Sequence, residues 1–114
     1  MGLSEIQLRH VSQLLTEFCR ARVPAHAKDQ VKLGFRSLGQ SVVLFESRLA
    51  GPSPKDWLDL DVAKFRYVKS TGSWKLFCKF RDERWHAYEP LGEAATFEEL
   101  LREVDADPTC IFWG

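Results

Sequence analysis

The densest polar group in the chain is Asp82, Glu83, Arg84, His86 and Tyr88. A histidine beside carboxylates can act as a general base, and a tyrosine can orient or protonate a reacting group. The same residues have a plainer reading. Arg81-Asp82-Glu83-Arg84 is a polar tetrad suited to a tight turn, and His86 and Tyr88 fall on one side of the short alternating run after it. Carboxylates in a turn beside a strand are common, so the turn reading is preferred.

A second set would serve metal-assisted hydrolysis, which wants two or three carboxylates near a lysine. Glu46, Asp59, Asp61 and Lys64 would converge if the second and third strands pair. The spacing Asp61-x-x-Lys64 is one residue longer than the familiar acid-x-Lys pattern, which counts against it. Other chemistries lack their residues. There is no Gly-x-Ser-x-Gly, no glycine-rich phosphate loop, no His-x-His or His-x-x-x-His, and no cysteine with a histidine close in sequence. No cofactor and no metal is expected, and an enzyme is the second choice.

A third constellation combines cations with aromatic rings. Between Ala63 and Lys69, Ala63, Phe65 and Tyr67 alternate with Lys64 and Arg66. From Trp74 to Phe80, Trp74, Leu76, Cys78 and Phe80 alternate with Lys75, Phe77 and Lys79. This is the period of two of half-buried strands. Antiparallel pairing would bring both outward sets onto one face. Lysine and arginine around an exposed phenylalanine compose a platform that stacks bases and neutralises phosphates. The expected contact set is Lys64, Arg66, Lys75, Phe77, Lys79 and Arg81, with nucleic acid or another polyanion as partner. Two alternatives compete: a basic face docked on an acidic C-terminal helix, and a β-bulge near Trp74 that turns Phe77 into the core.

Charge follows the same division. The chain is neutral overall, but residues 62–84 hold seven Lys/Arg against two Asp/Glu, whereas residues 85–114 hold one against seven. A basic hairpin is therefore followed by an acidic segment.

The elements that must position these groups are legible from caps and periodicity. With 114 residues the chain makes a single domain over residues 1–114. Ser4-Glu5-Ile6-Gln7 is a capping box, and Leu8, Val11, Leu14, Leu15, Phe18 and Arg22 continue a stripe, which predicts a helix over Glu5–Arg22 ended by Pro24. Val23–Lys28 connects it to an alternating strand at Gln30–Ser37, then a turn at Leu38-Gly39-Gln40 and a strand over Ser41–Leu49. Ala50–Asp61 reads as irregular, with Trp57 folded back as an anchor. Three strands follow between Val62 and Pro90. A second helix starts at Thr96-Phe97-Glu98-Glu99, with Phe97, Leu100, Leu101 and Val104 as its stripe. Cys110–Gly114 is apolar and is expected as a short added strand. The fold class is α+β: an N-terminal helix, a mostly antiparallel meander of about five strands, a second helix and a C-terminal apolar strand.

Cys19, Cys78 and Cys110 are widely spaced in apolar surroundings, which predicts buried, reduced thiols in a cytoplasm. No apolar run is long enough for a bilayer, no signal-peptide core follows Met1, and no membrane partner is expected. Self-association through Trp57 or the Ile-Phe-Trp-Gly end is a further alternative.

Several runs together carry a resemblance: GQSVVLFESR at Gly39–Arg48, AKFRYVKSTGSWKLF at Ala63–Phe77, RDERWHAYEP at Arg81–Pro90, then the Thr-Phe-Glu-Glu-Leu helix and the terminal IFWG. In this order they resemble a family of small bacterial proteins, domain of unknown function DUF3024. The resemblance covers nearly the whole chain. It implies a stand-alone bacterial domain in the cytoplasm and brings no activity with it.

Overall fold

The computed structural model describes residues 2–27 and 29–113; Met1, Lys28 and Gly114, which the sequence reading includes in its start, connection and end, lie outside them. The first helix, α1, runs Glu5–Arg22. Its start is set locally: Ser4 Oγ accepts from the Gln7 amide and Gln7 Oε1 from the Ser4 amide, both at 3.1 Å. Val11 and Leu15 are buried and Leu14 and Phe18 pack partly against the core. Leu8 remains 37% exposed, and Leu3 makes the core contact at that end.

Among the described residues six antiparallel strands follow in one sheet: β1 (Val31–Leu38), β2 (Ser41–Leu49), β3 (Trp57–Val68), β4 (Ser73–Lys79), β5 (Trp85–Ala87) and the two-residue β6 (Glu93–Ala94). The order is β1-β2-β3-β4-β5, with β6 also pairing on β4. The hairpin between β1 and β2 closes across Gly39, whose φ of 58° is one that side chains rarely adopt. The irregular stretch is shorter than its composition predicts. It ends in a single 3-10 turn at Pro54–Asp56, and Trp57 opens β3. Asp59 and Asp61 are poor strand formers, but pairing with Ser47 and Phe45 of β2 overrides their preference.

The second helix, α2, spans Phe97–Ala106 and is capped by Thr96, whose Oγ1 accepts from the Glu99 amide at 3.3 Å. Its buried residues Phe97, Leu100, Leu101 and Val104 lie on the same side of the sheet as Val11 and Leu15 of α1. The Phe97 ring sits 4.7 Å from Phe65 and 5.2 Å from Trp74. Val42, Leu44, Ala63, Phe65, Leu76 and Cys78 complete this one core. The molecule is thus two layers, helices on one face of a sheet, an α+β fold. No described helix is long and apolar enough to cross a membrane.

The apolar C-terminus does not form the expected strand. Asp107 takes a left-handed conformation at φ 45°, and the chain reverses through turns. The Asp107 carboxylate then accepts from the Phe112 amide at 3.1 Å and the Trp113 amide at 2.9 Å. Those amides are satisfied by a side chain instead of a sheet edge. Phe112 is 7% exposed against the core, and the Trp113 indole donates to the Val104 carbonyl at 2.8 Å under the Arg22 guanidinium, 4.0 Å away. Ile111 stays 36% exposed.

Candidate polyanion-binding face

The face of the sheet opposite the helices is built from cross-strand rows. One row runs Arg36, Val43, Lys64, Phe77, Ala87 across β1 to β5. Beside it lie Ser41, Arg66, Lys75 and Glu93. On its other side are Gly34, Phe45 and Asp61, next to Lys79 and Trp85. Lys32, Ser47 and Asp59 form the last row. Antiparallel neighbours share a face, so these positions form one surface.

Its composition depends on one irregularity. The register slips between Leu44–Ala63 and Phe45–Asp61, leaving Val62 as the extra residue of β3. Residue parity therefore reverses along β3. Lys64 and Arg66 face outward on one side of the bulge, and Asp61 and Asp59 do so on the other. Val62 itself is buried. The bulge falls here and not near Trp74, so Phe77 keeps its outward place. Asp61 joins the cations as their counter-ion: Arg36 Nη2 donates to Oδ1 at 2.9 Å and Lys79 Nζ to Oδ2 at 3.0 Å. Burial alone would raise the Asp61 pKa, but the hydrogen bonds from Lys79 and Arg36 hold it below the ordinary carboxylate value.

Lysine stems lie over the rings of this face. Lys64 Nζ is 4.8 Å from the Phe77 centroid and 5.5 Å from that of Trp85, and Lys79 Nζ is 5.0 Å from Trp85. Partial burial, then the neighbouring Arg66 charge, lowers the Lys64 pKa. Lys32 covers Trp57 at 4.2 Å, and Arg36 lies 5.7 Å from Phe45. Among the described residues, Lys64, Arg66 and Lys75 take part in no ion pair.

Five of the six residues expected in the contact set therefore meet: Lys64, Arg66, Lys75, Phe77 and Lys79. Arg81 does not, because it is exposed in the turn beyond β4. Trp85, Arg36 and Asp61 belong to the face and were missed. Strand alternation marks Arg36 and Trp85 as outward, and the reversal of phase at Val62-Ala63, where apolar residues pass from even to odd positions, is the signal of the bulge that carries Asp61.

The acidic helix is not docked on this surface. α2 packs on the opposite face, and Glu98, Glu103 and Asp105 are engaged elsewhere. Glu98 meets His10 at 3.2 Å, Asp105 meets Arg22 at 2.7 Å, and Glu103 accepts from the Tyr88 hydroxyl at 2.6 Å.

Neither catalytic constellation gathers whole, although Asp59, Asp61 and Lys64 share the helix-free face and Asp82 pairs with His86. Glu46 lies opposite Leu60 on the helix side and pairs with Arg48, while Asp61 and Lys64 face away from the helices. His86 pairs with Asp82 at 2.9 Å and stacks on Phe80, ring centroids 4.3 Å apart. Glu83 turns the chain at φ 60°, and Tyr88 is buried under α2. Tyr88 is pushed up to about 12, by burial first and by the bond to Glu103 second. No group of three His, Cys, Asp or Glu suited to a metal ion gathers among the described residues. Cys78 is buried and Cys19 partly so, but Cys110 is exposed, contrary to its apolar surroundings in sequence; all three are free.

No curated protein and no solved structure matches the chain. A family model described as Domain of unknown function (DUF3024) matches residues 3–114, and the chain belongs to that family.

Proposed function

We propose that this protein is a non-catalytic binding domain whose helix-free sheet face takes a polyanion, with single-stranded nucleic acid as its ligand. The observation that supports this most is the adjacency of the unpaired Lys64, Arg66 and Lys75 to the half-buried rings of Phe77 and Trp85. Phosphates would lie on the three cations, and a base would displace the Lys64 stem to stack on an aromatic ring. Asp61 neutralises Arg36 and Lys79 and so fixes them as part of the platform, not as primary phosphate ligands. The exposed thiol and the absence of any paired cysteine support a reducing compartment, and the family resemblance a bacterial cytoplasm.

The reading is tested by fluorescence titration of labelled single-stranded oligonucleotides. Three neutralised phosphates give a slope of about −2 in log affinity against log salt, or about 20-fold weaker binding for a fourfold rise in salt. The affinity should be nearly independent of sequence, because phosphate contacts carry no base information. Phe77→Ala should remove a further ~1–3 kcal/mol if a base stacks there. A salt-independent affinity, or none at low salt, rejects the proposal.

A further inference from the structure

A different surface, on the helix side of β1, is built to accept a strand. Among the described residues β1 is the outer edge of the sheet, paired only with β2. Leu49 donates its amide to the Gln30 carbonyl at 3.0 Å. In an antiparallel ladder hydrogen-bonded pairs alternate, so Lys32, Gly34, Arg36 and Leu38 bond to β2. Val31, Leu33, Phe35 and Ser37 then turn their amides and carbonyls to the open edge.

The side chains of Val31, Leu33 and Phe35 point toward the helix layer, yet each is only half-buried, whereas Val42, Leu44, Phe65 and Leu76 on the next strands are 0% exposed. What they border is a groove of about 460 Å³ between β1 and the C-terminal half of α1, lined also by Thr16, Cys19, Arg20, Val23 and Lys32. Among the described residues no carboxylate lines it. A free edge, an unfilled apolar groove and a cationic rim therefore lie side by side.

We propose that an extended acidic peptide adds to β1 as a further strand. Residues opposite Val31, Leu33 and Phe35 would send apolar side chains into the groove, and an alternate residue would set a carboxylate beside Lys32, with Arg20 at the rim. A second copy of this chain is a poor occupant. β1 carries Lys32 and Arg36 and no acid, so antiparallel self-pairing would bring cations together across the new edge.

The probe is a fluorescein-labelled heptapeptide alternating valine with glutamate, added to the full chain and followed by anisotropy and by amide shifts. Binding should perturb the amides of Val31, Leu33 and Phe35, and Leu33→Pro should weaken it at least about tenfold. Proline there removes an edge-facing donor and leaves the bonds to β2 in place. Should that variant not fold, Arg20→Glu with Lys32→Glu must weaken binding by a similar factor while Arg102→Glu, exposed on α2 and outside both surfaces, leaves it unchanged. No binding by the parent, or undiminished binding by the edge variants, overturns the proposal. So do shifts centred on Lys64 and Phe77, or a parent that sediments as a dimer which Leu33→Pro dissociates.

Discussion

Asp107→Gly isolates what holds the C-terminus. The native residue sits at φ 45°, a conformation glycine takes freely, so the backbone gains roughly 1 kcal/mol from the change. Against this stand two charge-assisted hydrogen bonds, 3.1 Å to the Phe112 amide and 2.9 Å to the Trp113 amide, both part-buried. Each is worth about 1.5 kcal/mol, at the low end of its class because the site is partly wet. The net loss is about 2 kcal/mol. At this chain length about 4 °C accompanies each kcal/mol, so the melting temperature should fall by about 8 °C. Circular dichroism gives the melt, and tryptophan emission reports Trp113, whose indole loses its place beside Val104. Deleting Cys110–Gly114 should cost more, since it also removes Phe112, a ring 7% exposed and worth roughly 1.5–3 kcal/mol in burial alone. A glycine variant that melts within about 2 °C of the parent refutes the assignment of the turn to the Asp107 carboxylate.

Asp61 should shape the acid limb of stability. Its folded pKa is depressed, so its contribution is complete at neutral pH and disappears as pH falls below about 4. Asp61→Asn should cost about 1–2 kcal/mol at neutral pH, discounted for the exposure of Arg36 and Lys79, and should flatten that limb; an unchanged acid transition counts against the pairing. Tyr88 acts at the other end. With its folded pKa at about 12 it keeps its proton longer in the native state, so stability should decline as pH rises above about 10, and Tyr88→Phe should lessen the decline, the half-buried Cys19 and buried Cys78 thiols keeping the rest. Thiol labelling of the native protein should reach Cys110 first, with Cys78 and the half-buried Cys19, whose thiol burial pushes up to about 11, reacting only on unfolding. Fewer than three reactive thiols after non-reducing denaturation would contradict their free state.

What was legible in the sequence was mostly local. Ser4 and Gln7 bound α1, and Thr96 starts α2, because a cap depends on residues three apart. The β3–β4 hairpin was readable because Lys64, Arg66, Lys75 and Lys79 alternate against apolar partners around a glycine turn. Features decided by distant pairing were hidden. The start of β3 at Trp57 depends on Ser47 and Phe45 across the ladder, not on the aspartates that made it read as a loop. The bulge at Val62 is marked by two adjacent apolar residues, Val62-Ala63, where the alternation changes phase; reading the stretch up to Asp61 as a loop hid it, and it alone moves Asp61 to the cationic face. The tail was read as a strand from its apolar residues, and the deciding element was Asp107, a polar side chain able to satisfy two amides. Trp85 was left out of the contact set, although the alternation that puts His86 on one side of β5 puts Trp85 on the other.

Charge reversal at Arg66 and Lys75 tests the outer face most directly. These residues are exposed, lie opposite each other and make no ion pair among the described residues, so Arg66→Glu with Lys75→Glu should leave the fold intact. Lys79 is a worse choice, since its reversal would break its ion pair with Asp61, whereas Lys75 faces Glu93 across the ladder without pairing to it. The double variant should melt within about 2–3 °C of the parent and lose at least about tenfold in affinity for single-stranded oligonucleotides at low salt, with a shallower salt slope. Equal affinity and an equal slope in parent and variant would contradict a polyanion site on this face.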